Sequence, residues 1–273
     1  MTTQHLPMPT LQRKGGELHL EEVALSAIAE EFGTPTYVYS LAALKAAYGA
    51  YRDALGGHRA MVCYAVKANS SLAILSVFAR LGAGFDIVYV YAGMGYLGYE
   101  FLLPEYNHRA DEYGGTIENR VRFVREMIEV TKDAVGKDCG VALRVSLEEL
   151  RGRPGRNQPS EAHELIEILA DAPDLFDVKM DSSPTDCSAS RFTGEGSHEP
   201  VVDFVKSLTK KPVVGVGRFT SPDAMVSQIR RGVLDLIGGA RPSIADPFLP
   251  KKIREGREAE IRECIGCNIC ISS

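Results

Sequence analysis

Between Lys211 and Pro247 the chain writes the same unit twice: a short β-branched run that ends in glycine and then in arginine. The first reads K-P-V-V-G-V-G-R and the second V-L-D-L-I-G-G-A-R, with a helical stretch, Pro222 to Gly232, between them. Strand, glycine turn, helix, strand, glycine turn is the grammar of a parallel α/β sheet, and it constrains this chain more than any other feature. Glycine at a strand end lets the backbone come close to a ligand, and the amides that open the following helix point toward an anion. In an eight-stranded α/β barrel the last two loops commonly form a phosphate site. Gly217, Arg218, Gly238, Gly239 and Arg241 are therefore expected to grip a phosphorylated cofactor, the two arginines through charge-assisted contacts. The alternative is a pair of buried parallel strands whose glycines serve tight turns only.

The chain has 273 residues, 45% hydrophobic and 25% charged, enough for one TIM-type barrel of about 250 residues. A formal net charge of -5 with no dense basic run argues against nucleic acid as a partner. Lys67, Arg80 and Asp86 interrupt the apolar stretches, so no segment reads as a membrane span. The opening M-T-T-Q-H-L-P-M-P-T has no apolar signal core, and a cytoplasmic location is the expectation. Cys63, Cys139 and Cys187 are scattered, whereas Cys264, Cys267 and Cys270 crowd the C-terminal end. That distribution excludes a secreted disulfide framework.

Read in order, the first dozen or so residues form a polar, proline-punctuated arm. Apolar spacing predicts helices over Leu20 to Phe32, Leu41 to Leu55, Leu97 to Phe101, Asn119 to Val135 and Glu161 to Ala170. Strands are expected at Pro35 to Ser40, in A-M-V-C-Y-A-V-K-A-N-S-S with Lys67 at its C-terminal end, and at Ile87 to Tyr91, Val141 to Ser146 and Phe176 to Met180. With the two runs of the opening paragraph this makes about seven strand candidates, where a complete barrel wants eight. A barrel short of a stave exposes its edges or covers them by forming a homo-oligomer.

From about residue 85 onward the chain carries D-I-V-Y-V-Y, Y-N-H-R-A-D-E-Y-G-G-T-I-E-N-R, S-R-F, V-G-V-G-R-F-T, G-G-A-R-P-S-I-A-D-P and C-I-G-C-N-I-C. In these runs it resembles the amine dehydrogenases that contain FMN and an iron-sulfur cluster, within the wider old yellow enzyme family. The resemblance implies a small amine substrate oxidised by hydride transfer to the flavin. It places Arg144, in V-A-L-R-V-S, near the flavin ring, where a cation stabilises charge that builds up on reduction. Read without the family, Arg144 is equally an arginine paired with Glu148 or Asp177. Tyr91 and Asp186 match two of the family's substrate-site residues; otherwise they are a strand-end aromatic and a loop carboxylate. The family's histidine, in a G-A-H run, is replaced here by Met94 in A-G-M, and a thioether moves no protons, so the implied activity is expected to be impaired. Cys264, Cys267 and Cys270 match three of the four iron-sulfur ligands; a fourth cysteine has no counterpart in the sequence.

Residues 17–88 carry a second set of runs: E-F-G-T-P-T-Y-V-Y-S, Y-A-V-K-A-N-S and L-G-A-G-F-D-I-V. These resemble the N-terminal part of the diaminopimelate decarboxylases, in which the lysine of Y-A-V-K-A-N forms the Schiff base with pyridoxal phosphate (PLP), here Lys67. Without the motif Lys67 reads as a side chain snorkelling from a strand end. The two resemblances meet at Gly84 to Val88. The chain thus reads as a hybrid with a decarboxylase-like segment over 1–88, a flavin-barrel segment over 89–250 and an iron-sulfur tail over 251–273. A flavin-dependent oxidoreductase is the leading reading. A PLP-dependent decarboxylase and a catalytically silent scaffold are the alternatives.

Overall fold

A computed structural model describes residues 10–56, 60–148, 150, 161–180 and 191–272. The chain divides into two compact units, Met1–Phe85 and Asp86–Ser273.

The first unit opens with an antiparallel meander, β1 (Leu11–Lys14), β2 (Glu17–Leu20) and β3 (Val23–Ala24). Helices α1 (Leu25–Phe32), α2 (Leu41–Ala54) and α3 (Leu72–Leu81) follow. The helix expected from Leu20 thus begins only at Leu25, because Leu20 pairs with Leu11 and Glu21 turns the chain at φ 56°. The Glu21 carboxylate accepts from Ser40 Oγ at 2.6 Å and from the Ala42 amide at 2.9 Å, while Ser40 Oγ accepts from the Ala43 amide. Two residues distant in sequence therefore share the capping of α2. Pro35 to Ser40 is not a strand: no ladder partners it among the described residues, and Tyr37 is 93% exposed. Nor does A-M-V-C-Y-A-V-K form one. A single bridge joins Cys63 to Gly84, and Val66–Ala68 closes into a 3-10 turn that includes Lys67. The core of this unit is small: Tyr48, Ile74, Phe78 and Ala83, with Tyr64 stacked on Phe78 at 4.2 Å.

The second unit alternates strands and helices. In order they are β4 (Ile87–Ala92), α4 (Leu97–Leu102), α5 (Ile117–Val135), β5 (Gly140–Ser146), α6 (Glu161–Leu169), β6 (Leu175–Lys179), α7 (Glu199–Val202), α8 (Val205–Leu208), β7 (Val213–Gly215), α9 (Pro222–Arg230), β8 (Leu236–Ile237), α10 (Ala240–Ala245), α11 (Leu249–Arg254) and α12 (Ile269–Ser272). The five strands make one parallel sheet in sequence order, β4 to β8 without reversal. Sequential parallel order is that of successive barrel staves, not of a doubly wound sheet. Hydrogen bonds do not close it: β4 and β8 are each paired on one side only among the described residues.

Alternation along the strands sorts the two faces. Val90, Leu143, Phe176 and Val213 are register neighbours on one face and nearly fully buried, as are Ala92, Val145 and Val178. Helix α5 belongs to the same core through Val121, Val124 and Ile128, one stripe of a helix, all fully buried and worth roughly 1.5–3 kcal/mol apiece. The other face carries Tyr89, Tyr91, Arg144, Asp177 and Leu236.

Two matching devices hold the N-terminal edge of the sheet. Asp174 accepts from the Val141 amide at 2.9 Å and pairs with Lys132 of α5 at 2.8 Å. Asp235 likewise accepts from the Val213 amide at 2.9 Å and pairs with Lys206 of α8. That edge is bonded internally, which leaves the C-terminal ends of the strands for chemistry.

The run Y-N-H-R-A-D-E-Y-G-G-T-I-E-N-R folds as a tight corner between α4 and α5. Asn107 donates to the carbonyls of Phe101 and Tyr113, and Arg109 pairs with Asp111. Buried Arg120 donates through Nε to the Leu102 carbonyl at 2.8 Å and through Nη1 to the Gly115 carbonyl at 2.5 Å. Its Nη2 lies 2.6 Å from Glu161, an ion pair too bent for a hydrogen bond.

Candidate active site

Tyr91, Arg144 and Asp177 sit side by side because β4, β5 and β6 are in parallel register there, Tyr91 opposite Arg144 and Arg144 opposite Asp177. The Arg144 Nη1 donates to Asp177 Oδ2 at 2.7 Å, and its guanidinium carbon lies 5.8 Å from the centre of the Tyr91 ring. Tyr96 meets Tyr91 edge-on, centroids 5.3 Å apart. The sequence left Arg144 with two possible partners, Glu148 or Asp177, and the structure pairs it with Asp177, its register neighbour on β6. Burial pushes the Asp177 carboxyl above its usual range, against the pull of Arg144 and Lys179. Burial also raises the Tyr91 phenol, with Arg144 opposing. Arg144 Nε and Asp177 Oδ1 are buried without a partner among the described residues. Met94 follows on the turn after β4 at φ 55°, a half-buried thioether in a left-handed conformation. Lys179, which the sequence reading missed, is 4% exposed at the end of β6 and adds a second cation beside Asp177. Asp186 lies outside the described residues, as do the side chain of Lys67 and Cys187.

The two glycine-arginine turns follow β7 and β8 as expected, but their glycines do different work. The Gly217 carbonyl accepts from the Gly196 amide at 2.8 Å, and a Cβ on Gly217 would stand 3.2 Å from Gly196 Cα, so glycine lets two backbones touch. A Cβ on Gly238 would meet Val216 Cγ1 at 2.8 Å. On Gly239 it would meet only Pro242, at 3.8 Å, so the protein's own packing leaves that side of the backbone open. Arg218 adopts φ 58° and donates through Nη1 to the Thr193 carbonyl, while its Nε is buried without a partner among the described residues.

One expectation needs correction. The amides that open α9 do not await an external anion, because the Glu195 carboxylate already takes them. Glu195 Oε1 accepts from the Thr220 and Ser221 amides, the latter at 2.8 Å, and Oε2 accepts from Ser221 Oγ at 2.8 Å. Burial pushes the Glu195 carboxyl up, but these bonds outweigh it and leave it below the usual range. The available elements for a phosphate are therefore Gly239 and the arginine side chains.

The C-terminal run packs onto those arginines. Asn268 Oδ1 accepts from Arg241 Nη1 at 2.6 Å, and the Gly266 carbonyl accepts from the Arg191 amide at 2.9 Å. Gly266 has φ 66°, and a Cβ there would lie 3.0 Å from Arg218 Nε. Cys264 is half-buried, and Cys267 and Cys270 are exposed. Among the described residues no three His, Cys, Asp or Glu side chains stand together as a metal site, so the structure does not gather these cysteines into a ligand set.

Residues 76–260 match the model of the NADH:flavin oxidoreductase / NADH oxidase family, and residues 41–90 match that of the pyridoxal-binding domain of pyridoxal-dependent decarboxylases. The chain is 42% identical to dimethylamine dehydrogenase of Hyphomicrobium sp. (strain x) over 192 residues, 69% of this chain and 26% of that protein. It is 63% identical to diaminopimelate decarboxylase of Pseudomonas fluorescens over 81 residues, 30% of this chain and 20% of that protein. The solved structure of histamine dehydrogenase from Rhizobium sp. 4-9 superposes with a TM-score of 0.63 at 49% identity, covering 71% of this chain and 28% of that one. The chain thus spans about a quarter of the length of these relatives. No helix among the described residues is long and apolar enough to cross a membrane. With a five-strand parallel sheet, a Tyr91, Arg144, Asp177 row across three of its strands and a family match over most of its length, the chain is a hybrid that belongs to the NADH:flavin oxidoreductase / NADH oxidase family and carries a decarboxylase-like stretch at its front.

Proposed function

We propose that the 89–250 segment binds FMN and oxidises a small amine. The observation that supports this most is the Tyr91, Arg144, Asp177 row across three adjacent strands, one or two residues short of their carboxyl ends, with Arg144 Nε buried and unpartnered among the described residues. An unpartnered buried guanidinium N–H costs about 1–3 kcal/mol unless a ligand accepts from it, which fits an electron-rich ring edge at that place. Gly239, Arg218 and Arg241 would hold the phosphate, and Arg144 the ring. FMN, when bound, supplies the hydride acceptor. Arg144 brings positive charge to the region that becomes electron-rich, and Tyr91 lines the same face with a phenol that burial keeps protonated. Met94 donates no proton, so we expect turnover well below that of a site with an imidazole at this position.

Titrating the purified chain with FMN and following flavin fluorescence tests the reading. Saturable quenching that weakens in Arg218→Ala and Arg241→Ala is expected, and an unquenched flavin overturns it. Thiolates at Cys264, Cys267 and Cys270 have the right chemistry for an iron-sulfur cluster, but among the described residues the geometry does not converge them. A second reading rests on the decarboxylase-like match that includes Lys67. The backbone of Lys67 lies in a 3-10 turn, and the match around it spans 20% of the decarboxylase, so this reading has the lysine with only a fifth of that relative's chain about it. Borohydride reduction in the presence of PLP should leave Lys67 unlabelled, and a labelled Lys67 would revive that reading.

A further inference from the structure

Asp177 enters the sequence only as one of two possible partners of Arg144, yet it is the most deeply buried charge of the row, 5% exposed on the central strand β6. Resting on the flavin reading above, we infer that Asp177 positions Arg144 and sets the net charge that Arg144 presents to the bound ring.

The argument is geometric. The two residues are register partners on adjacent strands, so their side chains leave the same face at a fixed spacing. One carboxylate oxygen takes Arg144 Nη1 at 2.7 Å, which fixes the plane of the guanidinium and leaves Nε buried on another side of it. A carboxylate that close cancels most of the cation's field at a distance. Arg144 is therefore a held and partly neutralised cation, and its partner decides by how much. Lys179 on the same strand and Tyr91 and Tyr89 on β4 are the other titratable groups that interact with Asp177.

A purely structural counter-ion would keep the fold and leave the ring's energetics alone. The experiment compares Asp177→Asn, nearly isosteric and uncharged, with the parent in the FMN-loaded protein and reads the flavin midpoint potential. Unmasking Arg144 should favour the reduced, electron-rich ring about tenfold, a rise of ~30 mV for a two-electron couple. The same exchange in an Arg144→Gln background should shift the potential little, because the charge being masked is gone. Should Asp177→Asn not fold, Asp177→Glu keeps the charge but displaces it and should raise the potential by a smaller amount. A cofactor-free readout runs alongside: with Asp177 neutral, Tyr91 should ionise at lower pH, seen by NMR of a ring-labelled tyrosine. An unchanged potential, or an equal shift without Arg144, overturns the inference. If the parent binds no FMN, the flavin reading fails, and an unmoved Tyr91 titration in Asp177→Asn then sinks the positioning role separately.

Discussion

Two neighbouring glycines, Gly238 and Gly239, separate packing from ligand binding, because an added methyl group meets different things at each. At Gly238 the new Cβ would stand 2.8 Å from Val216 Cγ1, inside any real contact, so the valine and its strand must shift. Overpacking of that kind costs about 1–3 kcal/mol. At Gly239 the nearest atom is Pro242 Cγ at 3.8 Å, ordinary contact, and the backbone at φ -145° suits any residue. Gly239→Ala should therefore leave the unliganded fold as stable as the parent, or about 0.4–1 kcal/mol more stable through its less flexible unfolded chain. The same methyl group would stand where a phosphate has to approach the backbone. Losing one charge-assisted bond there, about 1.5–3 kcal/mol, weakens FMN binding by roughly 10–100-fold. Thermal unfolding of the cofactor-free proteins and flavin fluorescence titration measure the two effects independently. A Gly239→Ala protein that folds like the parent and also binds FMN within about twofold of it would refute the phosphate assignment of this turn. A Gly238→Ala protein of parental stability would refute the packing account.

Arg120→Met leaves the Leu102 and Gly115 carbonyls without their donor, and should cost the second unit about 3 kcal/mol in urea unfolding; a loss under about 1 kcal/mol contradicts the buried network. The Arg231 guanidinium, with help from Gln228, holds the Glu199 carboxyl down to about 2 from its usual 4.5, so this pair stabilises the fold above pH 4.5 and its contribution disappears as pH falls toward 2. Glu199→Gln should flatten the acid limb of the stability curve across that window, and an unaltered limb counts against the pair. Glu195→Ala removes the acceptor for two amides and a hydroxyl at the start of α9 and should destabilise by about 1–2 kcal/mol, read from the urea midpoint. Met94→His restores an imidazole at a left-handed position that histidine tolerates, and should raise amine turnover in stopped-flow flavin reduction; no gain disproves the proton-transfer explanation of the deficit.

Much of the second unit can be read along the chain because its signals are local. Val141 to Ser146 and Phe176 to Met180 are β-branched or apolar runs between amphipathic helices, and β5 and β6 stand there. The same rules fail at Pro35 to Ser40 and in A-M-V-C-Y-A-V-K, which have the composition of strands but no neighbour to pair with beyond the Cys63 to Gly84 bridge. A strand is a relation between segments, and propensity reports only one of them. The site shows the same division. Arg144 and Tyr91 were identifiable from their runs, and Asp177 was one of two candidates for the arginine's partner. Glu195 over the start of α9 and Asn268 on Arg241 were invisible, because each reaches across about 25 residues with an ordinary polar side chain. Lys179 carried a faint signal, a second charge two residues after Asp177 on a strand whose other residues are apolar.

The two edges of the sheet differ in a way that bears on function. At the N-terminal edge Asp174 and Asp235 each have a backbone amide and a lysine, and nothing at those carboxylates calls for a ligand. Within three residues of the strands' C-terminal ends, Arg144 Nε, Asp177 Oδ1 and Arg218 Nε are buried and unpartnered among the described residues of the same unit. Each such atom costs about 1–3 kcal/mol, a substantial share of a domain's 5–15 kcal/mol. Stability alone gives no reason to keep three of them at one edge and none at the carboxylates of the other. An occupant that accepts from the two guanidinium N–H groups would account for two of the three, and on the flavin reading proposed above the ring and its phosphate would supply those acceptors. The contact of Asn268 with Arg241 ties the C-terminal run to that same edge.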